Sequence, residues 1–476
     1  MNPSIASLIY GFGIVALFWL GRDKTLRTSV GLWIPVIYLW LIGSRSPSIW
    51  LGITPPVGTD VQMDGTPLDR VIFATLLLVG VIVLAYRGTK VIHILRANWA
   101  LVGYFAFCLL SVVWSDFPDV AAKRWIKAIG DVVMALIIVT DHDPIGAFKR
   151  VITRVGFLLV PASLLLIKYY PFIGRTYDPY IGTQFFTGVT TNKNTLGVVL
   201  LIVCLGALWG TMELLRSKEY PNRKRLLVAW VVLLAMGLKL LLQADSATSR
   251  GCFGLGALLL ILATLPSLRR HPGIVHAMVL IIVLTGGFAT VFGATAGIAH
   301  AMGRNGDLTG RTEIWSVLIP MTPSPLLGAG FESFWLGERV RQARAAFVGN
   351  PLNEAHNGYI EVYLNVGWIG LSFLALFLIA GYRRVAEAFR RNPVFGNLLL
   401  AYVVSTVIYC ITEAGFRMLD PIWVVLLAAI TASSAVASPV RDVSKEPLTK
   451  AVHPSITGHR ALGFHPRRDS VGKISL

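Results

Sequence analysis

The sequence predicts an all-α, polytopic integral membrane protein with about 12–13 transmembrane helices and one long extramembrane loop. Three observations carry this. Only 14% of the 476 residues are charged while 55% are hydrophobic; a soluble domain carries about 25% charge. Uncharged apolar runs recur throughout, among them VIFATLLLVGVIVLAY, VVLLIVCLGALWG, GLGALLLILATL and AMVLIIVLTGG. In lipid such runs need only their own helical hydrogen bonds. The loops between them alternate between basic and non-basic.

The predicted spans are 4–20, 28–43, 70–86, 98–114, 125–140, 151–168, 189–210, 227–242, 252–267, 273–292, 358–380, 397–411 and 421–437. The first run has no basic residue before it and no convincing cleavage site after it, so it reads as a retained helix. Every second loop is basic: GRDKTLR, RGTKVIHILR, DHDPIGAFKR, RSKEYPNRKR, SLRRH and GYRRVAEAFRR. These loops are expected on the cytoplasmic side, together with a basic, disordered tail at 438–476. The alternate loops are then periplasmic, including the long one at 293–357, inserted within a membrane domain spanning 1–437. That loop reads as a cap with surface helices and without a secure core of its own.

The net charge of +18 does not point to nucleic acid, because the basic residues sit in short clusters between apolar runs. Cys108, Cys204, Cys252 and Cys410 show neither metal-ligand spacing nor a disulfide framework. No phosphate-binding glycine loop is present.

Chemistry concentrates at the non-basic margins. GVTTNKNTLG brings Asn192, Lys193 and Asn194 to the start of one span, and QADSATSRG brings Arg250 to the mouth of another. GDLTGRTEIW holds Arg311 and Glu313, and a fourth segment opens with His356 and Asn357. Charges at a membrane mouth are costly and usually have a partner or substrate. Two guanidinium groups suit phosphate or carboxylate oxygens and stabilise charge developing on a diphosphate leaving group. His356 is the acid/base candidate. Few acidic residues lie in these loops and none form an Asp-x-Asp pair, so a metal-bound mechanism is not expected. Structural alternatives stand beside each assignment. Asn192 and Asn194, or His356 and Asn357, cap helices. Arg250 snorkels to headgroups. Arg311 pairs with Glu313, Asp307 or lipid phosphate. Lys193 anchors at the interface, Glu354 satisfies His356, and Asp116 and Arg124 orient the short loop in WSDFPDVAAKRW.

These segments resemble the O-antigen ligase family, which also contains O-antigen and exopolysaccharide polymerases. The resemblance rests on WSDFPDVAAKRW (114–125), GVTTNKNTLG (188–197), TSRG (248–251), LTGRTEIW (308–315), GAGFESFW (328–335) and HNGYIEVYLNVGWIG (356–370). It implies a metal-independent, inverting glycosyltransferase of the bacterial inner membrane, acting at the periplasmic face without a cofactor. Its donor would be an undecaprenyl-diphosphate-linked glycan. Arg250, Arg311 and His356 match the family's essential residues: the arginines hold the diphosphate and the histidine assists acceptor attack. Asn357, Asn192, Lys193, Asn194 and Arg124 are the further substrate-binding candidates. The Asn-Lys-Asn form at 192–194 is nearer the polymerase branch, in which the acceptor is another glycan and a chain-length regulator is an expected partner. A ligase, with a lipid A-core acceptor, and a lipid-linked glycan flippase are the alternatives.

Overall fold

A computed structural model describes residues 1–53, 65–177, 182–265, 272–291, 309–347 and 352–437. The expectations for the tail at 438–476 and for the first part of the long loop lie outside the described residues. The protein is an all-α polytopic membrane protein. The helices begin with α1 (Pro3–Leu20), α2 (Trp33–Ile42), α3 (Pro67–Ala85), α4 (Gly88–Ala97), α5 (Trp99–Leu110) and α6 (Pro118–Val139). They continue through α7 (Pro144–Tyr169), α8 (Lys193–Arg216), α9 (Arg223–Gln243), α10 (Ala247–Leu262) and α11 (Pro272–Val291). The last elements are α12 (Thr309–Leu318), α13 (Gly337–Ala346), α14 (Gly358–Arg391), α15 (Pro393–Thr412) and α16 (Pro421–Ala437). A short antiparallel pair, Arg175–Tyr177 with Gln184–Phe186, precedes α8.

Each predicted apolar segment coincides with a helix, but the helices are not equivalent. Among the described residues, seven are long and apolar enough to cross a membrane, or eight if α4 and the segment 99–114, bent by 88°, form one span. Val30–Ile42, Ala247–Leu262 and Pro421–Ser434 are apolar but shorter. At 1.5 Å per residue such helices fall short of a hydrocarbon core of about 30 Å. α6 has the length, but its first half carries Asp119, Lys123, Arg124 and Lys127. α8 and α15 form the centre, with 78% and 83% of their most apolar stretches buried, against 11% for α1 and α3.

The described part of the long loop shares a small core with the start of α14. Ile314, Leu318, Phe334, Trp335, Val340 and Leu364 belong to a separate small hydrophobic cluster. Its anchor is a break in α14. Gly367 has φ 64° and ψ −168°, so the helix stops and restarts there. Residues 325–329 dock into the break. The amides of Trp368 and Ile369 donate to the carbonyls of Pro325 and Leu326, and the Ala329 amide donates to the Leu364 carbonyl. These bonds satisfy the backbone groups that the interruption frees, as irregular backbone inside a membrane protein requires. A Cβ on Gly367 would lie 2.2 Å from the Leu326 carbonyl oxygen, at a φ that favours glycine. The sequence HNGYIEVYLNVGWIG is therefore a short helix followed by a spanning one.

Candidate active site

Capping residues bring the site together. Asn192 Oδ1 accepts from the Thr195 amide at 2.8 Å and caps α8. Ser246 caps α10 through the Ser249 amide. Asn357 Oδ1 accepts from the amides of Tyr359 and Ile360 at 2.9 and 3.1 Å and caps α14. Each cap adjoins a charged or polar side chain of the site, and each leaves a helix N-terminus near it, the end that favours anions. Thr248 and Thr412 hydroxyls, 2.9 Å apart, tie the start of α10 to the end of α15.

The centre is Glu413, just beyond α15, with a side chain only 6% exposed. Arg311 Nη2 donates to its Oε1 at 3.1 Å. Asn194 Nδ2 lies 3.3 and 3.2 Å from its two oxygens. His356 Nδ1 lies 3.7 Å from Glu413 Oε2 and 3.0 Å from Glu354 Oε1. Neither contact has the alignment of a hydrogen bond, so both are ion-pair contacts. Arg417 holds Glu354 from the other side at 3.1 Å. A second, more exposed carboxylate, Asp245, pairs with Arg250 at 3.1 Å and with Lys193 at 3.8 Å. The Lys193 ammonium also stands 3.9 Å above the Phe185 ring.

The structure thus brings together Asn192, Lys193, Asn194, Arg250, Arg311, His356 and Asn357. It does not bring Arg124 to this cluster: Arg124 donates to the Glu332 carbonyl, while Asp116 pairs with Arg339 at 2.6 Å. Asn192 and Asn357 act as caps, and the Asn357 amide also donates to the Ile411 carbonyl at 2.9 Å. Among the described residues Arg311 pairs with Glu413, a residue the sequence reading did not single out. Asp245 and Arg417 were missed as well. The available signal was the one that marked Arg250: a charge at the mouth of an apolar run.

Glu354, His356 and Glu413 each offer one ligand atom, all within 4.8 Å of one another. Glu354 and Glu413 are far apart in sequence and meet only through the fold, so the absence of an Asp-x-Asp pair does not reveal them. Arg417 and Arg311 already bind these two carboxylates, so an entering cation would compete with two guanidinium groups.

His356 takes a left-handed backbone, φ 49°, a region where Asn, Asp and His are enriched. Burial disfavours a charged ring there, but the carboxylates of Glu354 and Glu413 outweigh it and raise the group to about 9. Burial likewise opposes charge on Glu354, yet His356 and Arg417 bring it down to about 2. The imidazole is therefore charged at neutral pH. Its raised value contributes stability in full below about 6.5, the ordinary histidine value, and loses it as pH rises through about 9. The Glu354 contribution is present above about 4.5 and fades as pH falls toward 2. His356→Asn retains the left-handed backbone. The difference in Tm between the wild type and this variant in detergent is expected to shrink between pH 6.5 and pH 10. A difference that is flat across this range would show that the ring is neutral in the folded chain.

The O-antigen ligase family model matches residues 231–375. That segment contains Asp245, Arg250, Arg311, Glu354, His356 and Asn357. Over residues 231–375 the chain is thus similar to the O-antigen ligase family. The chain is also 27% identical over 288 residues to the exopolysaccharide production protein ExoQ of Rhizobium meliloti (strain 1021), covering 58% of this chain and 62% of that protein. The chain thus spans less than two thirds of the curated relative it matches. The O-antigen ligase segment does not contain the whole cluster: Lys193, Asn194, Glu413 and Arg417 come from outside it, on α8 and beyond α15.

Proposed function

We propose that the protein is a glycosyltransferase that joins undecaprenyl-diphosphate-linked oligosaccharide repeat units into a surface polysaccharide or exopolysaccharide at the periplasmic face of the bacterial inner membrane. The observation that carries this reading is the convergence of Arg250, Arg311 and His356 at helix ends, held by Asp245, Glu354 and Glu413. Basic loops on the opposite side support the orientation, and the likeness to an exopolysaccharide production protein supports polymerisation.

In this reading Arg311 and Arg250 hold the donor diphosphate, using donors left over after their carboxylate contacts. An acceptor sugar hydroxyl attacks the anomeric carbon from the face opposite the diphosphate. The new glycosidic C–O bond forms, the C–O bond to the diphosphate breaks, and undecaprenyl diphosphate leaves with the bonding pair. The configuration inverts. The arginines and the helix N-termini stabilise the growing negative charge. His356, already protonated, orients the acceptor or a diphosphate oxygen through Nε2. The neighbouring carboxylates Glu354 and Glu413, rather than the ring, are the groups positioned to take the hydroxyl proton. No metal enters this scheme. Ligation to lipid A-core is the second reading, favoured by the description of the matching family.

Purified protein given only the lipid-linked repeat unit is expected to form a ladder of glycans, releasing undecaprenyl diphosphate, with undiminished rate in excess chelator. Product that forms only when lipid A-core is added would favour ligation. Activity lost in chelator and restored by magnesium or manganese would place an ion at Glu354, His356 and Glu413 and overturn the metal-free step.

A further inference from the structure

A cavity of about 510 Å³ opens between α3 and α6, outside the cluster described above. This volume lies within the range of ligand sites, roughly 300–1,000 Å³. Its lining is divided by chemistry. Arg70, Lys123, Arg124 and Lys127 supply four cationic side chains, of which Arg124 also donates to the Glu332 carbonyl. Phe73, Leu77, Leu78 and Val81 supply the apolar wall from α3. These positions follow an i, i+4, i+5, i+8 pattern and therefore share one face of the helix.

The two chemistries occupy opposite ends. A Cβ on Gly65, just before α3, would approach Lys127 Nζ at 3.9 Å, whereas one on Gly80 would meet Val133 at 2.7 Å and Ile137 at 3.3 Å. Early positions of α3 thus face early positions of α6, and late face late, so the helices run parallel. The cations gather toward the N-terminal ends, and the apolar face extends along the helices away from them. α3 is largely exposed, so the apolar wall it supplies is open to lipid, whereas the second half of α6 is buried in the bundle. The inner wall includes Tyr38, whose hydroxyl donates to Asp131 at 2.7 Å, and Met418 and Leu419. Those last two follow Arg417, which holds Glu354 beside His356. A single segment, 413–420, therefore forms the boundary between the cavity and the candidate active site.

We propose that this cavity binds a second phosphorylated lipid, of the polyprenyl phosphate or diphosphate class, beside the Arg250–Arg311–His356 site. The cationic end takes the phosphate and the apolar wall takes the first isoprene units. The inference rests on the polymerase reading in one respect: joining two lipid-linked glycans requires two anionic lipids to be held at once, one leaving and one accepting.

The test counts lipids. Native mass spectrometry of the purified full chain in detergent, titrated with glycan-free undecaprenyl diphosphate, is expected to show two bound per chain. A double charge reversal, Lys123→Glu with Lys127→Glu, should weaken one of the two by at least about tenfold. Ala74→Trp, which fills the cavity from the α3 side without touching a charge, should remove the same lipid. Arg311→Ala should remove the other. Wild-type binding of a single lipid, or two lipids retained by both cavity variants, would overturn the proposal. Inorganic diphosphate that displaces the cavity lipid at equal concentration would reduce the cavity to a plain anion site and overturn the lipid assignment. If the cavity variants lose a lipid while Arg311→Ala keeps both, the functional reading of Arg311 fails and this site stands.

Discussion

Glu413→Ala is expected to abolish transfer and to lower the melting temperature in detergent more than any other single change at the site. The carboxylate is nearly buried and meets Arg311, Asn194 and His356. Its removal leaves a partly buried guanidinium without the partner the structure gives it, a class of change that costs about 3–5 kcal/mol. Such a loss alone would not identify a role in the reaction, so Glu413→Gln is the informative companion. Glutamine keeps an acceptor for Arg311 and for Asn194 and nearly the same shape, but removes the charge and the proton-accepting group. The expected result is a small change in melting temperature with transfer reduced by about 10²-fold or more, since a positioned acid/base group contributes roughly 10²–10⁴-fold. Wild-type turnover by Glu413→Gln would show that the residue only positions Arg311.

Arg311→Lys is expected to remain folded and to lose about 10²–10³ in kcat/KM, the cost of removing one preorganised donor to developing charge. Lysine keeps the ion pair with Glu413 within reach. It cannot hold that carboxylate and a diphosphate oxygen at once in the fixed fork geometry of a guanidinium. Arg250→Lys is expected to be milder. Its partner Asp245 is 44% exposed and is shared with Lys193, so a mobile ammonium can supply much of the same potential. Steady-state transfer from a purified lipid-linked repeat unit, with donor binding measured separately, checks both. Equal, small losses for the two variants would refute a bidentate role for Arg311.

From sequence the ordinary titration range of His356 makes it the acid/base candidate. In the fold two carboxylates stand beside it and raise it to about 9, which favours the donor role it has in the proposed reaction. Asn357 shows the reverse case. It was a substrate-binding candidate, and the structure uses its side chain to cap α14 and to reach the Ile411 carbonyl.

The membrane character, the helical segments and the four polar stretches that meet at the site were all legible in the sequence. Each depends on local quantities: the apolar length a helix needs to cross lipid, the expense of a charge at a membrane mouth, and the preference of Asn and Ser for helix N-termini. Only the tertiary structure decided the pairing. Glu413 reaches Arg311 across about 100 residues of sequence, and Asp245, Glu354 and Arg417 acquire meaning only as its neighbours. Periodicity records which face of a helix is apolar and does not say which distant loop that face will meet. The same limit hid the break at Gly367, since one glycine in an apolar run reads as ordinary helix packing until residues 325–329 are seen to occupy the gap. It hid the α3–α6 cavity too, because a cavity is a property of two surfaces and neither helix encodes it alone.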